Sequence, residues 1–262
     1  MTSVEVDIAI LGPVTIHGAA RPFRRSASLE LVVYLAFHRR GVRNGEWPLA
    51  IWPDRIVSLT TVHSTCSDAR RALGRSQDGS EHLPRCGGLL RLGDGVCTDV
   101  ERFVSLADSE DAHRLLRAMR LVRGRLFDGL HRTDWAVFDG TQSDIESLVA
   151  RTALRGADVF LRRGRGDEAA WMVRRALLVS PYDERLYRAL LRSTSAQGNR
   201  VALRSTMAEL RTLAGEAGGR PPPDPGRWRE SIPEDCLHPE TTALYRDLLK
   251  GSSAAGGHPA RL

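Results

Sequence analysis

The residues that most often carry out chemistry in proteins are few in this sequence of 262 residues, and their spacing fits no reactive motif. Four cysteines occur, Cys66, Cys86, Cys97 and Cys236, without a Cys-x-x-Cys pair and without a histidine at zinc-ligand spacing. The eight histidines form no His-Glu-x-x-His motif, and the Gly-x-Ser-x-Gly motif of a nucleophile elbow is absent. The sequence therefore predicts no metal site and no hydrolytic centre.

Lysine occurs only once, at Lys250, so nearly all of the 38 basic residues are arginines. A phosphate-binding loop requires a lysine directly after a glycine, whereas Lys250 follows Leu249 and precedes Gly251. Kinase and Schiff-base chemistry also depend on a suitably placed lysine. We therefore expect that the protein is not an enzyme, that it has no catalytic residues, and that it requires no cofactor.

The sequence has the features of a cytoplasmic protein without a membrane partner. Residues 1–20 lack the basic start and apolar segment of a secretory signal. The longest strongly apolar run, Leu29 to Phe37, is interrupted by Glu30 and is much shorter than the ~20 residues of a transmembrane helix. Reduced cysteines are expected in this setting. The alternative is a redox pair of Cys86 and Cys97, which could face each other across a hairpin.

The net charge of +6 is spread evenly along the chain. Residues 1–98 contain 12 arginines and 9 acidic residues, and residues 99–262 contain 26 basic and 23 acidic residues, so each part carries +3. Binding to nucleic acid requires a local stripe of positive charge rather than a general surplus. The composition therefore neither identifies nor excludes such a surface.

The N-terminal part changes from strand-like to helix-like periodicity. Residues Val4 to Gly18 alternate between apolar and polar types around a Gly-Pro break, which predicts two short strands, and residues 22–23 favour the start of a third. Helical spacing follows over Ala27 to Arg40. Asn44 is positioned to cap a second helix that ends near Trp52.

A third predicted helix, from Leu59 to Leu73 with Ser58 as its N-cap and Gly74 as its end, is the most informative segment. Apolar residues at steps of three and four predict one buried face, consisting of Leu59, Val62, Cys66, Ala69 and Leu73. The opposite face is expected to present Thr60, Thr61, Ser64, Ser67, Asp68 and Arg71, with His63 and Arg70 on its flank. A hairpin with a Gly87-Gly88 turn and a short strand at residues 95–98 follow.

Strands, three helices and a terminal hairpin follow one another in the order of a winged helix-turn-helix. The segments LGPVTIHG, ELVVYLAFHRRG, AIWP and TTVHSTCSDARRALG resemble the DNA-binding module of actinobacterial antibiotic-regulatory transcription activators. The later segments DVERF, LVRGRLFDGL and HPETTALYRDLL resemble the bacterial transcriptional activator domain that follows this module in that family. The resemblance covers about residues 8–250.

Downstream of Asp99 the pattern is helical almost throughout. The segments GDEAA at Gly166 and GNRVA at Gly198 are offset by 32 residues, close to the spacing of ~34 residues in tetratricopeptide helix pairs. The predicted helices of this repeat are residues 144–163, 167–179, 182–197 and 199–215. We expect a mainly α fold with an α+β winged helix-turn-helix over residues 1–98. An all-α tetratricopeptide-like activator domain is expected over residues 99–250, followed by a flexible tail at 251–262.

The resemblance implies that the third helix lies in the major groove of double-stranded DNA and that the hairpin contacts its backbone. The residues implied to read bases are Thr60, Thr61, Ser64, Ser67 and Arg71. Those implied to face phosphates are His63, Arg70, Arg85 and Arg91, together with Arg24, Arg25 and Arg43 near helix starts. A basic residue commonly stands at the position of Asp68 in this family, so Asp68→Arg is expected to strengthen DNA binding.

The leading hypothesis is a transcriptional regulator that binds promoter DNA and contacts RNA polymerase or another protein through its helical repeats. A second copy of the chain is a further candidate partner. The alternative is a signalling or scaffold module that uses both domains for protein contacts, with an anionic small molecule as a candidate effector. A contiguous positive face on the third helix and hairpin would distinguish the two hypotheses.

Overall fold

The computed structural model describes residues 5–217 and 237–254. The described residues divide into two compact units, one formed by residues 5–108 and 121–146 and the other by residues 109–120, 147–217 and 237–254. These units do not follow the expected boundary after residue 98, because residues 99–108 and 121–146 belong to the first unit. That boundary stays a prediction about which segments fold independently.

Two three-stranded sheets lie in the first unit. In one, β1 (Val6–Ala9) pairs antiparallel with β2 (Thr15–His17) and parallel with β6 (Val96–Thr98). In the other, β5 (Leu89–Leu90) lies between β3 (Val42–Arg43) and β4 (Arg85–Cys86). The expected strand at residues 22–23 does not form. Instead β3 forms, because the hairpin brings β5 alongside it, and a two-residue strand exists only through such pairing.

Three helices precede the hairpin, as a winged helix-turn-helix requires. They are α1 (Ser26–Phe37), α2 (Trp47–Ile51) and α3 (Leu59–Leu73). Both α2 and α3 pack against α1. The same unit contains α4 (Asp99–Ala107) and α6 (Asp134–Phe138).

Local sequence sets the ends of α3 and of the hairpin. Ser58 accepts a hydrogen bond from the backbone N–H of Thr61 at 3.2 Å, as an N-cap does. Gly74 ends the helix with φ of 76° and ψ of −149°, a conformation almost restricted to glycine. Gly87 and Gly88 both have positive φ, which suits a two-residue hairpin turn. The expected positions of α3 and the hairpin are therefore confirmed.

Gly74→Ala is expected to lower the free energy of unfolding by about 2–3 kcal/mol, because it adds steric crowding to backbone strain. A Cβ at this position would lie 2.6 Å from the Cβ of Ala20. Gly79 is a matched control, since its φ is also positive at 85° but nothing lies within 4 Å of its Cβ position. Gly79→Ala is expected to lose only about 1 kcal/mol. Urea unfolding of both variants measures the difference, and equal losses would contradict the role of crowding.

Helices dominate the second unit. They are α5 (Ala112–Leu121), α7 (Thr141–Arg162), which joins this unit from residue 147, α8 (Gly166–Leu177), α9 (Glu184–Ala196), α10 (Arg200–Ala217) and α11 (Pro239–Ala254). Helix α9 packs against α8, α10 and α11. A core cluster around α9 and α10 consists of Tyr187, Leu191, Leu203, Met207, Leu210 and Leu237. The expected helical repeat is confirmed. The expected tail starts inside α11, and residues 255–262 lie outside the described residues.

Candidate nucleic-acid interface

The buried face of α3 differs from the one expected. Ala69 and Leu73 are buried as predicted, together with Ala72. Leu59, however, is 74% exposed, and Val62 is only half-buried. The expectation that the first half of α3 turns its apolar residues into the core is therefore wrong.

Asp68 lies on the buried side of α3, and its expected position on the exposed face is wrong. The residue is 4% exposed, and its Oδ2 accepts a hydrogen bond from the backbone N–H of Arg24 at 3.2 Å. Beside it, the hydroxyl of Ser28 donates to the carbonyl oxygen of Thr65 at 3.1 Å. Polar groups thus join α3 to α1 and the segment before it. Asp68 consequently contributes no exposed carboxylate to the face that DNA would meet.

The exposed side of α3 carries Arg71, whose Nε donates to the carbonyl oxygen of Ser67 at 3.3 Å. This bond directs the guanidinium along the helix and leaves its Nη atoms available. Nearby, Nη1 of Arg25 donates to the hydroxyl of Ser64 at 2.9 Å, and that hydroxyl donates to the carbonyl oxygen of Thr61 at 3.0 Å. The fold therefore places Arg25 beside the exposed polar residues of α3, although 39 residues separate it from Ser64.

Arg70 is held against the segment that leads into the hairpin. Its Nε donates to the carbonyl oxygen of Leu83 at 2.8 Å and lies 3.6 Å from Oε2 of Glu81. The guanidinium of Arg70 thus already interacts with a carboxylate in the absence of DNA. Its contact with DNA stays a prediction.

The remaining cations of the predicted set are exposed, namely Arg24, Arg43, Arg85 and Arg91. Within the described ranges, none of these four arginines, nor Arg25 or Arg71, forms an ion pair with a carboxylate. Arg43 stands opposite Leu89 in β5, and Arg85 stands opposite Leu90. The second sheet therefore contributes positive charge from both strands that flank β5.

A cavity of about 650 Å³ lies between α3 and the hairpin. Its lining is Asn44, Gly45, Leu59, Val62, His63, Cys66, Ser67, Arg70, Arg85, Gly87, Gly88, Leu89 and Leu90. Burial raises the pKa of the Cys66 thiol, so this group is a neutral part of the lining. Helix α3 and the β4–β5 hairpin thus border a largely apolar space whose lining includes two arginines and a histidine.

The fold brings part of the predicted DNA-binding set into this cavity and leaves part outside. His63, Ser67, Arg70 and Arg85 line it. Thr60, Thr61, Ser64, Arg24, Arg25, Arg43, Arg71 and Arg91 do not. The sequence interpretation missed Leu59 and Val62 as lining residues, because it assigned their spacing to the core. A second stripe on α3, formed by Thr65, Asp68, Ala69 and Ala72, could have indicated the buried face, since small residues allow α1 to approach closely.

The cysteines do not form the cross-hairpin pair considered above. Cys86 lies in β4 opposite Leu89, whereas Cys97 lies in β6 opposite Asp7. These strands belong to different sheets, so the hairpin alternative is wrong. Cys66 and Cys97 are free thiols, and Cys236 lies outside the described residues.

In the part of the chain that the structure describes, no group of three or more histidine, cysteine, aspartate or glutamate residues is arranged to hold a metal ion. None of the described helices has the length and hydropathy needed to span a membrane.

Comparison with known proteins gives two similarities. Residues 98–232 match the family model described as the bacterial transcriptional activator domain. Among solved structures, the chain is similar to Mycobacterium tuberculosis EmbR in complex with a low-affinity phosphopeptide, with a TM-score of 0.61 and 20% sequence identity. The similarity covers 96% of this chain and 68% of that chain. At this identity it supports the fold alone, and no curated protein sequence matches significantly.

Proposed function

Because this chain belongs to the bacterial transcriptional activator domain family, we propose that it regulates transcription by binding promoter DNA through α3 and the β4–β5 hairpin. The observation that carries the proposal is the group of exposed arginines on and around these elements, which have no carboxylate partner among the described residues. The family is one of transcriptional regulators, which is not a class of enzymes.

The arrangement suits the two kinds of contact that DNA recognition requires. Arg71 has free Nη atoms on the exposed side of α3, and a guanidinium can donate to O6 and N7 of guanine in the major groove. Arg43, Arg85 and Arg91 are placed on or beside the second sheet, where they would neutralise phosphates. The burial of Asp68 supports the proposal further, since this carboxylate is bonded to the amide of Arg24 and is not one of the exposed groups that would meet phosphates.

Arg71→Ala is expected to weaken binding to a specific site by about 1–3 kcal/mol and to relax base preference at one position. Arg85→Ala is expected to weaken binding to all sequences and to lower the slope of log affinity against log salt by about 1. Fluorescence anisotropy with genomic DNA fragments, selected on the unaltered protein and titrated over a salt series, measures both effects.

Arg125→Ala is the matched control. Arg125 is exposed on the connection between α5 and α6, and its substitution removes the same charge. Its affinity and salt slope are expected to match those of the unaltered protein. Absence of binding by the unaltered protein to any fragment at low salt would contradict the proposal. If the Arg125 variant bound DNA as weakly as the Arg71 variant, the loss of affinity would be due to net charge alone.

A second candidate function, a protein-interaction module, is favoured by the apolar lining of the cavity. Leu59 and Leu89 are exposed there. Because contact with a phosphate backbone needs no apolar side chain, these leucines favour contact with a protein. An anionic effector held by Arg70 and Arg85 also belongs to this alternative. The same titrations separate the two functions, since an interaction module would show no preference among fragments and no loss in the Arg71 variant.

We also infer that the helices of the second unit bind a protein partner, with RNA polymerase or a second copy of the chain as candidates. Stacked helical repeats leave an extended surface because each repeat contacts only its neighbours. Tyr182, just before α9, and Val201, in the first turn of α10, are exposed apolar residues on this unit. They support the inference as candidate contacts.

A further inference from the structure

A cavity of about 370 Å³ in the first unit plays no part in the proposed DNA interface. Four aromatic side chains line it, Tyr34 and His38 at the end of α1 and Trp135 and Phe138 on α6. The centroids of the Tyr34 and His38 rings are 4.0 Å apart, and the Trp135 ring meets Tyr34 edge-on at 5.0 Å. The rest of the lining comes from α2 and the residues after it, Leu49, Ala50 and Pro53, and from two aspartates.

The two aspartates, Asp134 and Asp139, give the cavity a negative edge. Both are exposed, and neither forms an ion pair with a cation in the described part of the chain. Oδ1 of Asp139 accepts a hydrogen bond from the backbone N–H of Thr141 at 2.9 Å, which orients the carboxylate. The segment from Thr133 to Ala150 contains four acidic and no basic residues, and the preceding Arg132 pairs with Glu30.

The Tyr34 hydroxyl is accessible and has no partner among the described residues. Tyr34 as a whole is 8% exposed and lines the cavity, but its hydroxyl oxygen is not one of the fully buried atoms, and it makes no hydrogen bond to any described residue. A tyrosine hydroxyl can accept a hydrogen bond, so this oxygen is available to a donor on a ligand. Burial and the negative charges of Asp139 and Glu46 raise the pKa of Tyr34. A neutral hydroxyl therefore lies near negative charges. A cationic donor could form a hydrogen bond to the hydroxyl oxygen and also interact favourably with those charges.

We propose that this cavity binds an arginine side chain of a protein partner. Aromatic faces attract cations, and a planar guanidinium also stacks on them. Its five N–H donors suit the Tyr34 hydroxyl and the carboxylates of Asp134 and Asp139, which line the same cavity. Aromatic walls, unpaired carboxylates and an unused acceptor are thus all complementary to the same group.

The rim of the cavity favours an arginine on a polypeptide over a small free cation. Phe138 is 84% exposed and Leu49 is 68% exposed, and both line the opening. A small cation would leave these apolar side chains in water. A polypeptide can cover them with an apolar residue next to its arginine, which adds favourable burial of apolar surface.

The test uses the full chain with 15N-labelled tryptophan, because the indole signal of Trp135 reports on this cavity alone. Trp135→Phe assigns the signal. The probe is the peptide acetyl-Leu-Arg-Leu-amide, and its control is the same peptide with citrulline, which has a similar shape without the charge. We expect a saturable shift of the Trp135 signal with the arginine peptide and an affinity at least about tenfold lower for the citrulline peptide.

Variants locate the charge that binds the probe. Asp139→Asn keeps the oxygen that accepts from Thr141, so the fold is retained, and it is expected to weaken binding about tenfold. Asp144→Asn removes a charge from the same acidic segment outside the cavity lining and is expected to leave binding unchanged. Tyr34→Phe is expected to weaken binding about threefold.

Four results would overturn the proposal. The first is no shift of the Trp135 signal, and the second is equal affinity for the citrulline peptide. The third is tetramethylammonium binding as tightly as the arginine peptide, which would assign the cavity to small cations. The fourth is a shift of the Trp135 signal on concentration of the protein alone, which would place a second copy of the chain in the cavity. None of these readouts depends on DNA binding.

Discussion

Asp68→Arg is expected to lower the free energy of unfolding by about 3–5 kcal/mol, instead of improving DNA binding. The substitution places a guanidinium at a position that is 4% exposed, in the contact between α3 and the segment before α1. It also removes the acceptor of the Arg24 backbone N–H and sets further donors against it. A buried donor without an acceptor and a buried charge without a partner are both costly.

Thermal and urea unfolding measure this loss, with two substitutions for comparison. Asp68→Asn retains an oxygen that can accept from Arg24 and is expected to lose about 1 kcal/mol. Arg71→Ala, on the exposed side of the same helix, is expected to change stability by less than about 0.5 kcal/mol. A stable Asp68→Arg variant with tighter DNA binding would show instead that residue 68 faces the DNA.

Asp99→Ala is expected to lower the free energy of unfolding by about 2–4 kcal/mol, because Asp99 satisfies two buried amides at once. The residue is 2% exposed, and its carboxylate accepts from the backbone N–H groups of Ile10 at 2.8 Å and Leu11 at 3.0 Å. Nη2 of Arg123 lies 3.4 Å from Oδ2. As the first residue of α4, Asp99 also places negative charge at a helix N-terminus.

Calorimetry of the Asp99 variant tests this expectation against Asp94→Ala. Asp94 is exposed in a turn, so its loss is expected to cost less than about 0.5 kcal/mol. Equal melting temperatures for the two variants would mean that the amides of Ile10 and Leu11 find other acceptors.

The same carboxyl makes stability depend on pH in a defined direction. Burial raises the pKa of Asp99 above its ordinary value of 3.8, although the two amides and Arg123 act in the opposite sense. The folded chain therefore binds this proton more tightly than the unfolded chain. The stability that this difference in proton binding contributes is fully present below the pKa of Asp99 in the unfolded chain. It is lost as the pH rises through the pKa of Asp99 in the folded chain. Asp99→Asn removes that titration, so the stability of the native protein relative to this variant is expected to increase as the pH falls towards 3.8.

The sequence determined where the helices and the hairpin lie, because those features depend on neighbours a few residues away. Ser58 and Gly74 define the ends of α3 through its own backbone, and Gly87-Gly88 defines the hairpin turn. In the second unit, helical periodicity located α8, α9 and α10 within two residues of their observed ends. The exposed arginines of the proposed DNA interface could be named for the same reason, since long charged side chains are rarely buried without a partner.

The tertiary structure decided which face of α3 is buried. Two stripes on this helix have helical spacing, and periodicity alone cannot rank them. The stripe of Thr65, Asp68, Ala69 and Ala72 is buried because its small side chains admit α1 and because the carboxylate of Asp68 and the backbone carbonyl of Thr65 accept hydrogen bonds there. The partner of Asp68, the amide of Arg24, is 44 residues away, so no local pattern could indicate it.

The cavity proposed for arginine depends still more on the tertiary structure. Tyr34 and Trp135 are 101 residues apart in the sequence, and each alone looks like an ordinary core aromatic residue. Only the packing of α6 on α2, with α1 beside them, places the two rings, the Tyr34 hydroxyl and the aspartates around one space. Helix formation is a local property that a sequence displays, whereas a binding cavity is defined by distances between segments that the chain brings together only when it folds.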